Sequence, residues 1–203
     1  NPAMLATGTL TQLGNIRQNE SLQTKYSQIF NQCVVLLVSY FASAISDMFE
    51  ESVTIHLTRS PPPGILKEEL RLELGELFDI NFDLSSNLGQ ILAKKKDISF
   101  QDMQSIHRAF EHYLGLNLER DKSVNTIIYG QACRHSIVHD GSVVNARLIN
   151  QISKAEPRLI SHEMSEGGTL LFSPEEIRIL GDTMLEYTTR LASLLIDVLE
   201  DPE

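Results

Sequence analysis

From residue 21 to residue 58 the chain runs without a glycine or a proline, and apolar residues recur there at Tyr26, Ile29, Phe30, Cys33, Leu37, Tyr40 and Phe41. Steps of three and four residues mark a helix face. The stretch therefore reads as one long helix, or two abutting ones, and the fold must be organised around that rod. The run "SPPPG" at 60–64 ends it, because proline removes an amide donor and restricts the residue before it.

The later segments are also mostly helical. Leu66, Leu70, Leu74 and Leu77 form a stripe between charges and predict an amphipathic helix over 65–78. Leu88, Ile91 and Leu92 permit a short helix before Lys94, Lys95 and Lys96, a run that reads as a solvated face, with phosphate contact as its alternative. "SFQDMQSIHRAFEHYLG", 99–115, opens on Ser99 and Asp102 in capping-box spacing and closes on Gly115. Another helix runs through "VNTIIYGQACRHSIVH" into Asp140 and Gly141, a short one follows with Ser142 as its cap, and Ser173, Pro174 and Glu176 start a last one reaching about Leu199. Only 158–172 has β character: two short apolar segments divided by "SEGG" predict a small hairpin. The expected fold is all-α, a helical bundle over 21–200 after an N-terminal segment 1–20, in which residues 1–3 read as an expression remnant ahead of Met4.

A chain of 203 residues supports one core, and Cys33 and Cys133 belong to no CxxC spacing, so they read as reduced thiols rather than zinc ligands. The formal charge of −10 disfavours broad adhesion to nucleic acid or anionic membrane and leaves room only for a local basic site. The longest apolar run, 33–45, is shorter than the roughly 20 residues of a bilayer span. No basic segment followed by an apolar one opens the chain, so the expectation is a cytoplasmic protein without a membrane partner. P-loop and dinucleotide fingerprints are absent.

The stretch "CRHSIVHDG", 133–141, carries the most chemistry. An arginine followed five positions later by a histidine is weak evidence, since with three allowed gap lengths chance supplies about one such pair at this composition. Position adds to it. His139 falls in the last turn of its helix, where unsatisfied carbonyls favour an imidazolium. Arg134 offers a planar fork of donors suited to phosphate, with His135 beside it. Five residues at 100° each place Arg134 and His139 about 140° apart around a regular helix. Either the helix loosens before His139, or two chains complete the site. His135 and His139 share one face in the i, i+4 relation of zinc-binding helices, but Ser136 stands where a zinc protease needs its glutamate, and a third ligand would have to come from Asp140 or His162. The plainest reading is a polar helix terminus. His107 and His112 lie about 140° apart and do not suggest a shared site.

Taken with its context, "RHSIVHDG" resembles the signature of the HEPN superfamily, an arginine, four to six residues of which the first is polar, and a histidine. Arg134, His135 and His139 match those positions, and the segments "VVLLVSYFASAISDMF" and "IHRAFEHYLG" are similar to the family's preceding helices. The chain looks most like the stand-alone bacterial RiboL-PSP-HEPN-like group. The resemblance implies a helical bundle that forms a homodimer with the two motifs facing each other. It also implies a metal-independent endoribonuclease of toxin–antitoxin or phage-defence systems, with RNA as substrate, an antitoxin or other protein as a further partner, and no cofactor. In that mechanism the ribose 2′-hydroxyl attacks the adjacent phosphate, with His139 as general base or acid, Arg134 stabilising the phosphoryl oxygens and His135 orienting. Two departures stand out. Asp140 and Gly141 occupy the place where some relatives carry a modifiable tyrosine. The acidic residue many relatives have in mid-helix is matched only by Asp47, a weak supporting candidate. The alternative is a non-catalytic HEPN module that binds a nucleotide, RNA or protein; a helical scaffold is a third reading.

Overall fold

The computed structural model describes residues 20–59, 65–161 and 164–200; the N-terminal segment, the proline turn at 60–64 and His162 lie outside them. The described residues form seven α-helices. They are α1 (Glu20–Arg59), α2 (Leu74–Asp79), α3 (Leu88–Lys95), α4 (Met103–Leu114), α5 (Lys122–His139), α6 (Ala146–Ser153) and α7 (Pro174–Glu200), with short 3-10 turns at Ile65–Lys67 and Ser85–Asn87. The fold is an all-α bundle.

The first helix is one unbroken rod of 40 residues. Val34, Val38, Phe41, Ile45, Phe49 and Val53 recur at helical spacing and are all buried, so this face is the spine of the core. The stretch Gln28–Arg59 is long and apolar enough, at a hydropathy of 1.7, to cross a membrane. Its outer face carries Gln32, Ser39, Ser43, Asp47 and Glu51 beside exposed Ile29, Leu36 and Tyr40, while its inner face is the core's spine. α7 runs beside it in the same direction: Gly181 lies against Leu37, the Tyr187 ring 5.9 Å from Phe41, and the Leu199 carbonyl 3.4 Å from an Arg59 guanidinium nitrogen. At the far end Phe49 gathers Phe100, Phe110 and Tyr113 at centroid distances of 5.4, 5.4 and 5.9 Å. α3 crosses α1 at Gly89, where a Cβ would sit 1.8 Å from the Glu50 carbonyl oxygen. Only glycine lets the backbones approach that closely.

Four sequence expectations need correction. The leucine stripe over 65–78 does not form one helix: a 3-10 turn and an extended stretch precede the six residues of α2. Only part of the stripe is covered: Leu70 packs against the core, while Leu66 and Leu74 are exposed. Glu68 instead reaches Lys96 and, at 3.2 Å, His112, while Glu73 and Glu76 form a capping box that starts a new helix. Lys94 and Lys95 both pair with Glu76, so the lysine run closes on acids of the same chain.

No hairpin forms over 158–172 among the described residues. Its first half is stitched to α5, with the Leu159 amide donating to the Thr126 hydroxyl at 2.9 Å and the Asn125 amide to the Pro157 carbonyl at 2.9 Å. Its second half pairs with the segment that follows α5, through an antiparallel bridge between Val143 and Thr169. Two caps also shift. α4 is capped by Asp102, whose carboxylate accepts from the Ser105 amide at 2.8 Å, rather than by Ser99, and α6 is capped by Asn145 rather than Ser142.

Candidate functional site

α5 is capped by Asp121, whose carboxylate accepts from the Val124 amide at 2.8 Å. The helix stays regular through His139, so the 140° separation of Arg134 and His139 stands and no local loosening relieves it. Beyond Asp140 the chain turns through two consecutive left-handed residues, Gly141 (φ 62°) and Ser142 (φ 65°). Glycine adopts that conformation freely, while serine needs outside support to hold it.

That support converges from three directions. Buried Ser136, one turn before the helix end, donates its hydroxyl to the Val143 carbonyl at 2.8 Å and accepts the Asp140 and Ser142 amides at 3.0 and 3.1 Å on its own carbonyl. Asn31 of α1 donates its amide to the Ser142 hydroxyl at 3.1 Å and to the Leu170 carbonyl at 2.9 Å. The Leu170 amide in turn donates to the Ser142 carbonyl at 2.7 Å. Asp140 accepts from the Asn145 side chain at 2.9 Å, which ties the turn to the start of α6.

On this fixed base the motif side chains divide into two groups. His135 and His139 sit together, with ring centroids 4.7 Å apart and planes inclined by 44°. His139 is exposed and His135 half-buried. Burial first, and the positive charge of Arg147 second, lower the pKa of His135 below the usual 6.5, so it is uncharged at neutral pH and free to accept or donate. Arg134 is half-buried, and its Nε is enclosed without a hydrogen-bond partner. A guanidinium N–H held in that way is a donor awaiting an acceptor, because leaving it unpaired costs free energy. Val138, next before the exposed histidine in the chain, and Val143, just past the turn, are both 46% exposed.

The other candidates fall elsewhere. Asp47 is exposed on α1, sixteen residues past Asn31 and so about 24 Å along the axis from the contact with Ser142; it is not brought to the motif. Cys133 lies one residue before Arg134, but burial pushes its thiol up to about 12, which makes it a packing group and not a nucleophile. His107 meets the Tyr187 hydroxyl at 3.3 Å and His112 meets Glu68, so those two histidines serve separate surfaces. Among the described residues no group of three or more His, Cys, Asp and Glu is placed to hold a metal ion.

Sequence reading missed Asn31, Gln131 and Arg147. A lone asparagine within an apolar helix gives no signal of a contact 111 residues away. Arg147 carried a weak one, sharing a helix face with Gln151 and Lys154 at i, i+4, i+7. Compared with known proteins, the chain matches no family model, no curated protein and no solved structure.

Proposed function

We propose that the protein is a metal-independent endoribonuclease of HEPN type, acting in the cytoplasm as a homodimer in which two motif helices build one shared site. The observation that carries this reading is the unbroken helix beneath the motif. It holds a phosphate-binding fork and an exposed histidine pair about 140° apart, a geometry useful to one phosphate only if a second chain supplies the missing half. Exposed Val138 and Val143 beside His139, with Leu171 across the turn, offer apolar area for such a pairing.

In the proposed reaction the ribose 2′-oxygen forms a bond to the adjacent phosphorus as the bond from phosphorus to the 5′-oxygen breaks. A 2′,3′-cyclic phosphate and a free 5′-hydroxyl result. His139 takes the proton of the 2′-hydroxyl or returns one to the leaving oxygen, and Arg134 meets the charge on the phosphoryl oxygens. His135 orients its neighbour across the 4.7 Å ring contact. No cofactor takes part. An RNA-cutting protein of this kind would need restraint by an antitoxin or another partner, as in toxin–antitoxin or phage-defence systems.

Purified protein should cut single-stranded RNA in excess EDTA, and Arg134→Ala and His139→Ala should each abolish cutting. Mixing and re-associating those two inactive variants should restore activity, because each mixed dimer then holds one intact combination of Arg134 and His139. Full activity of the His139→Ala protein refutes the reading, and failure of the mixture to recover refutes the shared site. The formal charge of −10 favours a second reading, a binding module without catalysis; tight RNA binding with no cutting across many substrates would establish it.

A further inference from the structure

An open groove of about 750 Å³ lies beside the motif, between α4, α5 and α6. Its floor is a stripe of α5 in which Val124, Ile128, Gln131, Ala132 and His135 recur at helical spacing, about 16 Å from end to end. His135 closes one end, so groove and motif share a residue. α4 contributes His107, Arg108 and Glu111 to the walls, and α6 contributes Arg147, Gln151 and Lys154.

The charge of this groove runs against that of the whole chain. Arg108, Arg120, Arg147 and Lys154 line it against two carboxylates, Asp102 and Glu111, and Asp102 is already engaged in capping α4. Outside it Lys94, Lys95, Lys96, Arg158, Arg178 and Arg190 sit in ion pairs, whereas Arg59, Lys67, Arg71 and Lys122 form none among the described residues. Among the described residues none of the four groove cations forms one. Arg120 is braced by the Asn125 side-chain oxygen at 2.7 Å and by the Lys154 carbonyl, which fixes its guanidinium without neutralising it. In a protein of formal charge −10, four unpaired cations along one trough are a local positive field.

The groove floor carries an independent sign of a ligand. Gln131 is 8% exposed; its Oε1 accepts from the Met103 amide at 3.1 Å, but its Nε2 is buried with no partner. A buried amide donor that the fold leaves unsatisfied costs free energy unless something in the groove accepts from it.

We infer that this groove is the track for a single-stranded RNA, with Arg147, Lys154, Arg120 and Arg108 following its phosphates and the Gln131 amide donating to a base edge or sugar oxygen as the strand passes His135 toward the motif. Guanidinium forks suit phosphate oxygens, and an open trough admits a chain where a closed pocket would admit a small molecule. The choice of RNA rests on the ribonuclease reading. The charge and donor pattern alone call for a phosphodiester chain.

The test uses a mixed-sequence strand of about twelve 2′-O-methyl nucleotides, within the site sizes of single-strand binders. It lacks the attacking hydroxyl, so the unaltered motif cannot cut it, and binding is read by fluorescence anisotropy across a salt series. Among the described residues Arg147 and Lys154 form no side-chain hydrogen bond or ion pair, so Arg147→Glu with Lys154→Glu should leave the bundle intact, as a thermal melt checks. That pair should weaken binding at least tenfold and flatten the dependence of log K on log salt by about the two phosphate contacts removed. The same charge change at exposed Lys67 and Arg71, which form no ion pair among the described residues and lie far along the sequence from the groove, should leave both nearly unaltered. Equal loss in the two double variants, no binding by the unaltered protein, or tighter binding of a poly-glutamate peptide than of RNA would each overturn the inference. Cutting of ordinary RNA is assayed separately. Activity that persists with unchanged KM in the groove variant refutes the track and leaves the nuclease, whereas groove-dependent binding without cutting refutes the nuclease and leaves the track.

Discussion

Replacing Asn31 by alanine should loosen the turn after the motif without touching the motif itself. The side chain is 4% exposed and its amide makes two hydrogen bonds, to the Ser142 hydroxyl at 3.1 Å and to the Leu170 carbonyl at 2.9 Å. Two such bonds contribute about 2 kcal/mol together, and stranding the Leu170 carbonyl adds about 1–2 kcal/mol. One term opposes these: the Asn31 Oδ1 is buried without a partner, so deleting it recovers about 1 kcal/mol. The net expectation is a destabilisation of about 2–3 kcal/mol, read as a lower urea midpoint at constant slope. The loss should be local as well as global. Hydrogen exchange at the Leu170 amide, bonded to the Ser142 carbonyl at 2.7 Å, and at the Val144 amide, bonded to the Gly168 carbonyl at 2.9 Å, should accelerate more than exchange within the Phe49 cluster. An unfolding free energy within 0.5 kcal/mol of the parent, roughly the scatter of neutral surface substitutions, with unchanged protection at those two amides would refute the claim that Asn31 holds the turn.

Other consequences are more direct. Gly89→Ala should cost about 3 kcal/mol, the upper end of overpacking penalties, because its new Cβ would lie 1.8 Å from the Glu50 carbonyl oxygen and only a shift of α3 away from α1 relieves that; a thermal melt reads it. Arg134→Met should abolish RNA cutting while leaving the unfolding free energy from urea titration unchanged or raised by about 1 kcal/mol, since it removes a buried unpaired donor; a large fall in stability would mean that the arginine is structural. Hydrogen bonding from Lys95 first, then from the Glu73 amide, lowers the Glu76 carboxyl from 4.5 to about 2 in the folded protein. A folded pKa below the unfolded one means that the contribution is complete above about pH 4.5 and is lost as pH falls toward 2. Urea midpoints of the parent and Glu76→Gln should therefore differ at neutral pH and converge at pH 2, and a gap that persists there would refute the assignment.

The parts of this molecule that were legible in its sequence are those decided by periodicity and by local capping chemistry. The long rod needed only apolar steps of three and four and the absence of glycine and proline. The last helix announced itself because Ser173 and Glu176 satisfy each other's backbone donors within one turn, with 2.8 and 3.2 Å bonds. Periodicity identifies a face but does not say whether a surface exists to cover it. That is why the stripe from Leu66 to Leu77 predicted a helix that Glu68 and Glu76, drawn to the lysines, replace with a strap. The apolar segments within 158–172 were seen, but their partners were not, since a short extended segment pairs with whatever backbone the tertiary fold presents. Arg134, His135 and His139 were found as residue types in a spacing; the Asn31 and Gln131 contacts join elements far apart in the chain and leave no trace in local pattern.

The overall charge bears on function less simply than its sign suggests. At physiological ionic strength the Debye length is about 8 Å, so a strand lying among Arg108, Arg147 and Lys154 feels those cations far more than carboxylates on the opposite side of α1. The lysine run, which looks like the basic patch in sequence, contributes little there, because Glu68 and Glu76 hold all three ammonium groups. Near 0.01 M salt the Debye length grows to about 30 Å, comparable with the molecule, and the remaining excess of acid begins to repel the same strand. Affinity for an anionic chain should therefore climb as salt is lowered from 0.2 M and then level off, whereas a uniformly basic binder would keep climbing. A plot of log K against log salt that stays straight down to 0.01 M would mean that the field is not confined to the groove, and that the ion pairs holding the lysine run do not persist in solution.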